Sequence, residues 1–114
     1  MILKRGEIWI ADLEPTFGYE QAGVRPVLII QNNLVTRYSK TVLAIPITTN
    51  LQRSRHPSSI SVASGDGGLQ ADSVLLCHQM RALDATRIRF RIGELDETTI
   101  RRVESAVLFS VGIR

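Results

Sequence analysis

The sequence predicts a mainly β domain: a small antiparallel barrel of five or six strands, followed by one C-terminal helix. Three observations carry this. Short apolar runs rich in Val, Ile and Leu recur between residues 7 and 83, separated by Gly, Pro, Asn and Ser. Strands this short and irregular favour a closed barrel over an open sheet. From Asp96 onward the apolar residues change to helical spacing.

The elements follow in chain order. Glu7-Ile8-Trp9-Ile10-Ala11-Asp12-Leu13 is rich in β-formers and reads as a first strand. Pro15, Gly18 and Gly23 mark a long loop after it. Arg25-Pro26-Val27-Leu28-Ile29-Ile30-Gln31 is a nearly unbroken apolar run, as in a strand buried on both faces, and Pro26 is tolerable at its start. Asn32 and Asn33 end it. Thr41 to Thr48 reads as a third strand, in which Pro46 suggests an edge or a bulge. Residues 49–58 form a polar, basic loop. Ile60 and Val62 alternate with serines in a short strand, and Gly65-Asp66-Gly67-Gly68 supplies turn chemistry. Ser73 to His78 reads as a buried strand, with a short one over Arg81–Leu83. Asp96 is a good N-cap, and Ile100, Val103, Val107 and Val111 then line one helical face up to a C-capping Gly112.

At 114 residues and 44% apolar composition the chain is one folded domain, residues 1–114, rather than a disordered segment. The single cysteine, Cys77, cannot form an internal disulfide, which fits a reduced cytoplasmic protein; its apolar setting suggests a buried small hydrophobe more than a nucleophile. One cysteine and two histidines are too few for a structural zinc site, and no metal or other cofactor is expected. No apolar stretch approaches the ~20 residues that cross a bilayer. The N-terminal residues lack the apolar core of a secretory signal, so no membrane association is expected.

Charge is unevenly placed. The net charge is +3, and twelve of the fourteen cations are Arg, a planar donor suited to phosphate. Residues 25–91 hold nine cations against three anions, whereas both flanking segments are net negative. A phosphate-binding surface is therefore to be sought in the middle of the chain.

General catalytic motifs are missing. Gly65-Asp66-Gly67-Gly68-Leu69 lacks the Gly-Lys-Ser/Thr ending of a phosphate loop and reads as a plain turn. His56 and His78 form an acid–base pair in principle, but one lies in a loop and the other at a strand end, and nothing in the sequence brings them together. The segment Gly18-Tyr19-Glu20-Gln21-Ala22-Gly23-Val24-Arg25-Pro26 is more informative. Arg25 begins a buried strand, so its guanidinium starts from a rigid element and can clamp a phosphate; alternatively it makes a surface bridge with Glu20. Thr48, at the end of the third strand, needs no function on its own.

Together these residues carry a resemblance. Lys4-Arg5-Gly6-Glu7-Ile8-Trp9, Glu20-Gln21-Ala22-Gly23-Val24-Arg25-Pro26-Val27-Leu28, Ile45-Pro46-Ile47-Thr48-Thr49, Asp72-Ser73-Val74-Leu75 and Gln79-Met80-Arg81 resemble the MazF/PemK family of toxin endoribonucleases over essentially the whole chain. The Glu-Gln-x-Gly-x-Arg-Pro block is the specific part. The resemblance implies an SH3-like barrel acting as a homodimer, metal-independent cleavage of single-stranded RNA at short sequences, and inhibition by a cognate acidic antitoxin. It implies that Arg25 and Thr48 are the catalytic pair, with Glu20 as a further acid/base group.

Attack by the RNA's own 2′-OH on the adjacent phosphate needs proton transfer and stabilisation of a dianionic-like centre. Arg25 can supply charge and bidentate hydrogen bonds, and the Thr48 hydroxyl another. The products would be a 2′,3′-cyclic phosphate and a 5′-hydroxyl. The general base is left to Glu20 or to an unusually perturbed Arg25. Phe17, Asn32, Gln79 and Arg81 are placed like base contacts in the family, while Arg53 and Arg55 would steer phosphates. Without the family, the bland readings are core packing for Phe17, a strand-end cap for Asn32 and a surface amide for Gln79.

Two alternatives belong to other classes. A gyrase-poisoning family shares this barrel and acts through a tryptophan near the end of the helix, whereas Trp9 here lies in the first strand. A member that binds RNA or antitoxin without cutting is the other.

Overall fold

Val27, Leu28, Ile29 and Ile30 alternate between two separate apolar clusters, which is why their run has no polar break. In the computed structural model, which describes residues 1–113, Val27 and Ile29 join Trp9, Ala11, Val42 and Leu83 on one side of the sheet. Leu28 and Ile30 join Ile8, Ile45, Ile47 and Leu75 on the other.

Seven strands are arranged in the order β4-β5-β3-β2-β1-β7, with β6 also on β3. They are β1 (Glu7–Asp12), β2 (Val24–Ile29), β3 (Thr41–Thr48), β4 (Ser59–Val62), β5 (Ser73–Leu76), β6 (Arg81–Asp84) and β7 (Ile88–Glu94). A four-residue helix α1 (Asn33–Thr36) follows β2, and α2 (Glu97–Ser110) ends the fold. All pairings are antiparallel. The mainly β fold with a C-terminal helix is thus as expected from the sequence.

Several expectations are corrected. The strand count rises to seven because β7, an alternating Ile88-Arg89-Phe90-Arg91-Ile92 stretch, pairs with β1. Pro46 is not at an edge: β3 has β2 on one side, while on the other it changes partner from β6 at Thr41–Ala44 to β5 at Ile47–Thr48. Pro46 sits at that change of partner, where the ladder is interrupted and a residue without N–H is tolerated. The fifth strand stops at Leu76, and Cys77–Gln79 form a 3-10 turn. The second strand stops at Ile29, and Gln31 is a buried side chain that donates to the Thr41 carbonyl and accepts the Leu43 N–H.

The turn at Asp66–Gly68 packs backbone to backbone on β7. A Cβ on Gly93 would stand 2.3 Å from the Gly67 carbonyl oxygen, and one on Gly68 would stand 2.0 Å from that of Ile92. Glycine is required there by contact. Helix α2 starts where the Asp96 carboxylate accepts the Thr99 N–H at 2.8 Å. Ile100, Val103 and Ala106 seal the cluster around Ile8, with Val107 packed beside them; Val111, expected on that face, is exposed. Gly112, at φ +79°, closes the helix with the Ile113 N–H on the Leu108 carbonyl.

Candidate active site

Arg25 is the second residue of β2, and Thr48 the last of β3. The β2–β3 register pairs Leu28 with Ile45 and Val27 with Pro46, so Arg25, two residues before Val27, and Thr48, two residues after Pro46, lie at the same end of the two strands. The half-buried Arg25 donates from Nε to the Ala22 carbonyl at 2.8 Å, which fixes the stem of the guanidinium. Among the described residues its Nη groups have no partner, and no Glu20–Arg25 bridge forms. Thr48 is 4% exposed, and its Oγ1 accepts the Asn50 N–H at 3.1 Å, so its hydroxyl proton stays available for donation. A fixed cation and a hydroxyl donor on adjoining strands can stabilise charge growing on a phosphate.

Glu20 lies in the loop of residues 13–23 between β1 and β2. Its carboxylate accepts the Phe17 N–H, while its own N–H donates to the Phe17 carbonyl. With Pro46, His78, Gln79, Met80 and Arg81 it lines a cleft of about 250 Å³. Arg25 and Thr48 do not line this cleft, although Pro46 in its wall is two residues from Thr48. The expected site is therefore two adjoining groups.

The remaining candidates are dispersed. Phe17 stands 80% exposed at the loop tip. Arg81 lines the cleft and donates to the Leu13 carbonyl at 3.3 Å. Gln79 accepts the Gln21 N–H at 2.7 Å and donates to the Tyr19 carbonyl at 3.2 Å. Asn32 caps α1 by accepting the Leu34 N–H at 2.8 Å, so the strand-end cap expected as one alternative is present. It lies in a different groove with Leu43, Val107 and Leu108, which meets the Glu20 cleft at Met80. Arg53 and Arg55 lie in the 3-10 turn after β3, with Arg55 exposed and Arg53 half-buried.

One sequence-based expectation is overturned. His56 and His78 do come together: their rings stack with centroids 3.8 Å apart and planes 11° apart. The β4–β5 register, Ser59 opposite Leu76, brings the preceding turn beside the one that follows β5. His56 Nδ1 accepts the Ser58 N–H at 3.2 Å, which places the proton of the neutral ring on Nε2. Partial burial, then the nearby charges of His56 and Arg53, hold the His78 pKa below the usual histidine value. In-line displacement needs base and acid on opposite sides of the phosphate, and two face-to-face rings present no such arrangement. Cys77 is 2% exposed, and burial pushes its thiol up to about 11, so it is not a nucleophile at neutral pH. Sequence reasoning missed the His56–His78 stack, the Gln79 hydrogen bonds to the loop and the role of Met80. The first follows from strand register alone; the other two have no local signal.

Residues 4–111 match the family model described as PemK-like, MazF-like toxin of type II toxin–antitoxin system. The chain is 38% identical over 113 residues to Endoribonuclease EndoA of Bacillus subtilis (strain 168), covering 99% of this chain and 97% of that one. It is 35% identical over 112 residues to Endoribonuclease MazF of Staphylococcus saprophyticus, covering 98% and 93%. Among solved structures, MazF from Deinococcus radiodurans superposes with a TM-score of 0.86 at 20% identity, covering 99% of both chains. A mycobacterial endoribonuclease in complex with its cognate antitoxin does so at 0.79 and 24% identity, covering 96% and 95%. These two likenesses establish the shared fold, and the sequence matches establish the kinship. With the barrel and a family match along nearly its whole length, the chain belongs to the PemK/MazF family of toxins of type II toxin–antitoxin systems.

Proposed function

We propose that the protein is a sequence-specific endoribonuclease toxin that cleaves single-stranded RNA, such as mRNA, through attack of the 2′-OH on the adjacent phosphate. The observation that carries this is Arg25, held at Nε with its Nη groups free, at the same strand end as Thr48 in a chain whose relatives are named endoribonucleases. In this reading the Arg25 guanidinium and the Thr48 hydroxyl stabilise the developing dianion. Neutral arginine is too rare at pH 7 to act as base, so the exposed Glu20 carboxylate takes the proton. Water protonates the 5′-oxygen as its bond to phosphorus breaks, so the reaction needs no metal ion or cofactor. The bases are read by Phe17, Asn32 and Arg81, and the backbone is steered by Arg53 and Arg55.

The partners follow. An antitoxin with an acidic, initially disordered tail covers the basic middle of the chain and inhibits the toxin. The resemblance to the family supports a homodimer as the working form of the chain. No helix among the described residues is long and apolar enough to cross a membrane, and the single cysteine suits the cytoplasm.

The gyrase-poisoning alternative is not favoured. Trp9 is 7% exposed and donates from Nε1 to Glu7, so it offers no surface to a topoisomerase. The test is incubation of purified protein with a long single-stranded transcript in excess EDTA. Discrete cleavage is expected; intact RNA at stoichiometric enzyme would refute the proposal.

A further inference from the structure

We propose that Gln79 is a positioning residue that latches the Glu20 loop onto the turn before β6, and that cleavage depends on this latch. The inference rests on the reading of Glu20 as an acid/base group in the reaction.

Beyond the buried Leu13, the loop of residues 13–23 has little apolar burial to hold it, since Phe17 is 80% and Tyr19 97% exposed. Most of its hydrogen bonds are local: Phe17 with Glu20, the Gly23 N–H with the Glu14 carboxylate, and the Arg25 Nε with the Ala22 carbonyl. Among the described residues, residues 15–22 make hydrogen bonds to a distant part of the chain only through Gln79. Its Oε1 accepts the Gln21 N–H, and its Nε2 donates to the Tyr19 carbonyl. One side-chain amide thus grips the backbone on both sides of Glu20.

The residue type suits the task. A primary amide offers a donor and an acceptor side by side, as a peptide group does, so it pairs with a C=O and an N–H as a neighbouring strand would. A carboxylate would turn an acceptor towards the Tyr19 carbonyl, and alanine would lose both bonds. The latch is itself anchored: Gln79 ends the Cys77–Gln79 turn, whose Cys77 is in the core and whose His78 is stacked on His56. This one amide therefore ties the backbone on both sides of Glu20 to the core, while Arg25 holds the loop at Ala22. The glutamine that the resemblance places as a base contact spends one donor and one acceptor within the chain.

Two hydrogen bonds of ordinary net strength restrain local opening by about ten- to a hundredfold. In the full chain, Gln79→Ala should therefore raise the rate of chymotryptic nicking at Phe17 and Tyr19 about tenfold or more, with an unchanged urea midpoint. Gln79→Glu, which keeps one of the two bonds, should fall between. On the transcript, Gln79→Ala should lower kcat about tenfold with little change in KM, and it should add no further loss to Glu20→Gln, because both changes act through one carboxylate. Nicking equal to wild type overturns the latch. Faster nicking with a kcat loss that multiplies that of Glu20→Gln overturns the positioning role. If the wild-type protein leaves RNA intact, the proposed function fails, while the nicking rates still decide the latch.

Discussion

His56 and His78 stack with 3.8 Å between ring centroids, beside Arg53 and at the rim of the Glu20 cleft. Partial burial and the charges of His56 and Arg53 depress the pKa of His78 in the folded protein. As the pH falls, the unfolded chain takes up this proton before the native one, so stability present above the ordinary histidine value of 6.5 is lost below it. Urea midpoints measured between pH 8 and pH 5 should fall through this window for the wild type and less for His78→Asn. Equal slopes would remove the electrostatic account of the stack.

Glu7 should contribute at lower pH. Burial pushes its carboxyl up, but the Lys4 N–H, the Trp9 indole and Arg91 outweigh this and hold it below the ordinary glutamate value of 4.5. Its stabilisation is present above that value and is lost as pH falls through the lower folded one. Glu7→Gln should cost about 1–2 kcal/mol at pH 7, with the difference shrinking towards pH 3. A cost independent of pH would mean that shape rather than charge matters at this site.

Gly93 tests how the barrel closes. A methyl group there meets the Gly67 carbonyl at 2.3 Å, and backbone on both sides cannot yield as a flexible side chain would. Gly93→Ala should destabilise the protein by about 2 kcal/mol or more in urea unfolding. A neutral result would show that the Asp66–Gly68 turn can move off β7.

The elements whose burial is written in local pattern were legible in the sequence. The four-residue run Val27–Ile30 announced a two-faced strand, and Asp96 with Ile100 and Val103 announced the helix. The strand β7 was overlooked although its residues alternate, because its two arginines, Arg89 and Arg91, look like a solvated stretch; Arg91 in fact pairs with the buried Glu7. Pro46 misled because a local rule about edges cannot see a strand that changes partner midway.

The site was legible through the family motif. Physics alone could not have joined Arg25 to Thr48, 23 positions apart in the chain, since their approach depends on the β2–β3 register, which no local pattern announces. The link from Gln79 to Tyr19 and Gln21, across 60 and 58 residues, has no sequence signature at all.

The central claim is that Arg25 and Thr48 together cleave RNA. Sequencing of 5′-hydroxyl ends, after treating one long transcript with wild-type protein, Arg25→Ala and Thr48→Val, tests it most directly. Valine keeps the volume of the buried Thr48 while removing its hydroxyl. The wild type should give recurrent ends at a short common sequence, and each variant, still folded, should give them at a rate about 10²–10³-fold lower. Undiminished ends from both folded variants would contradict the account.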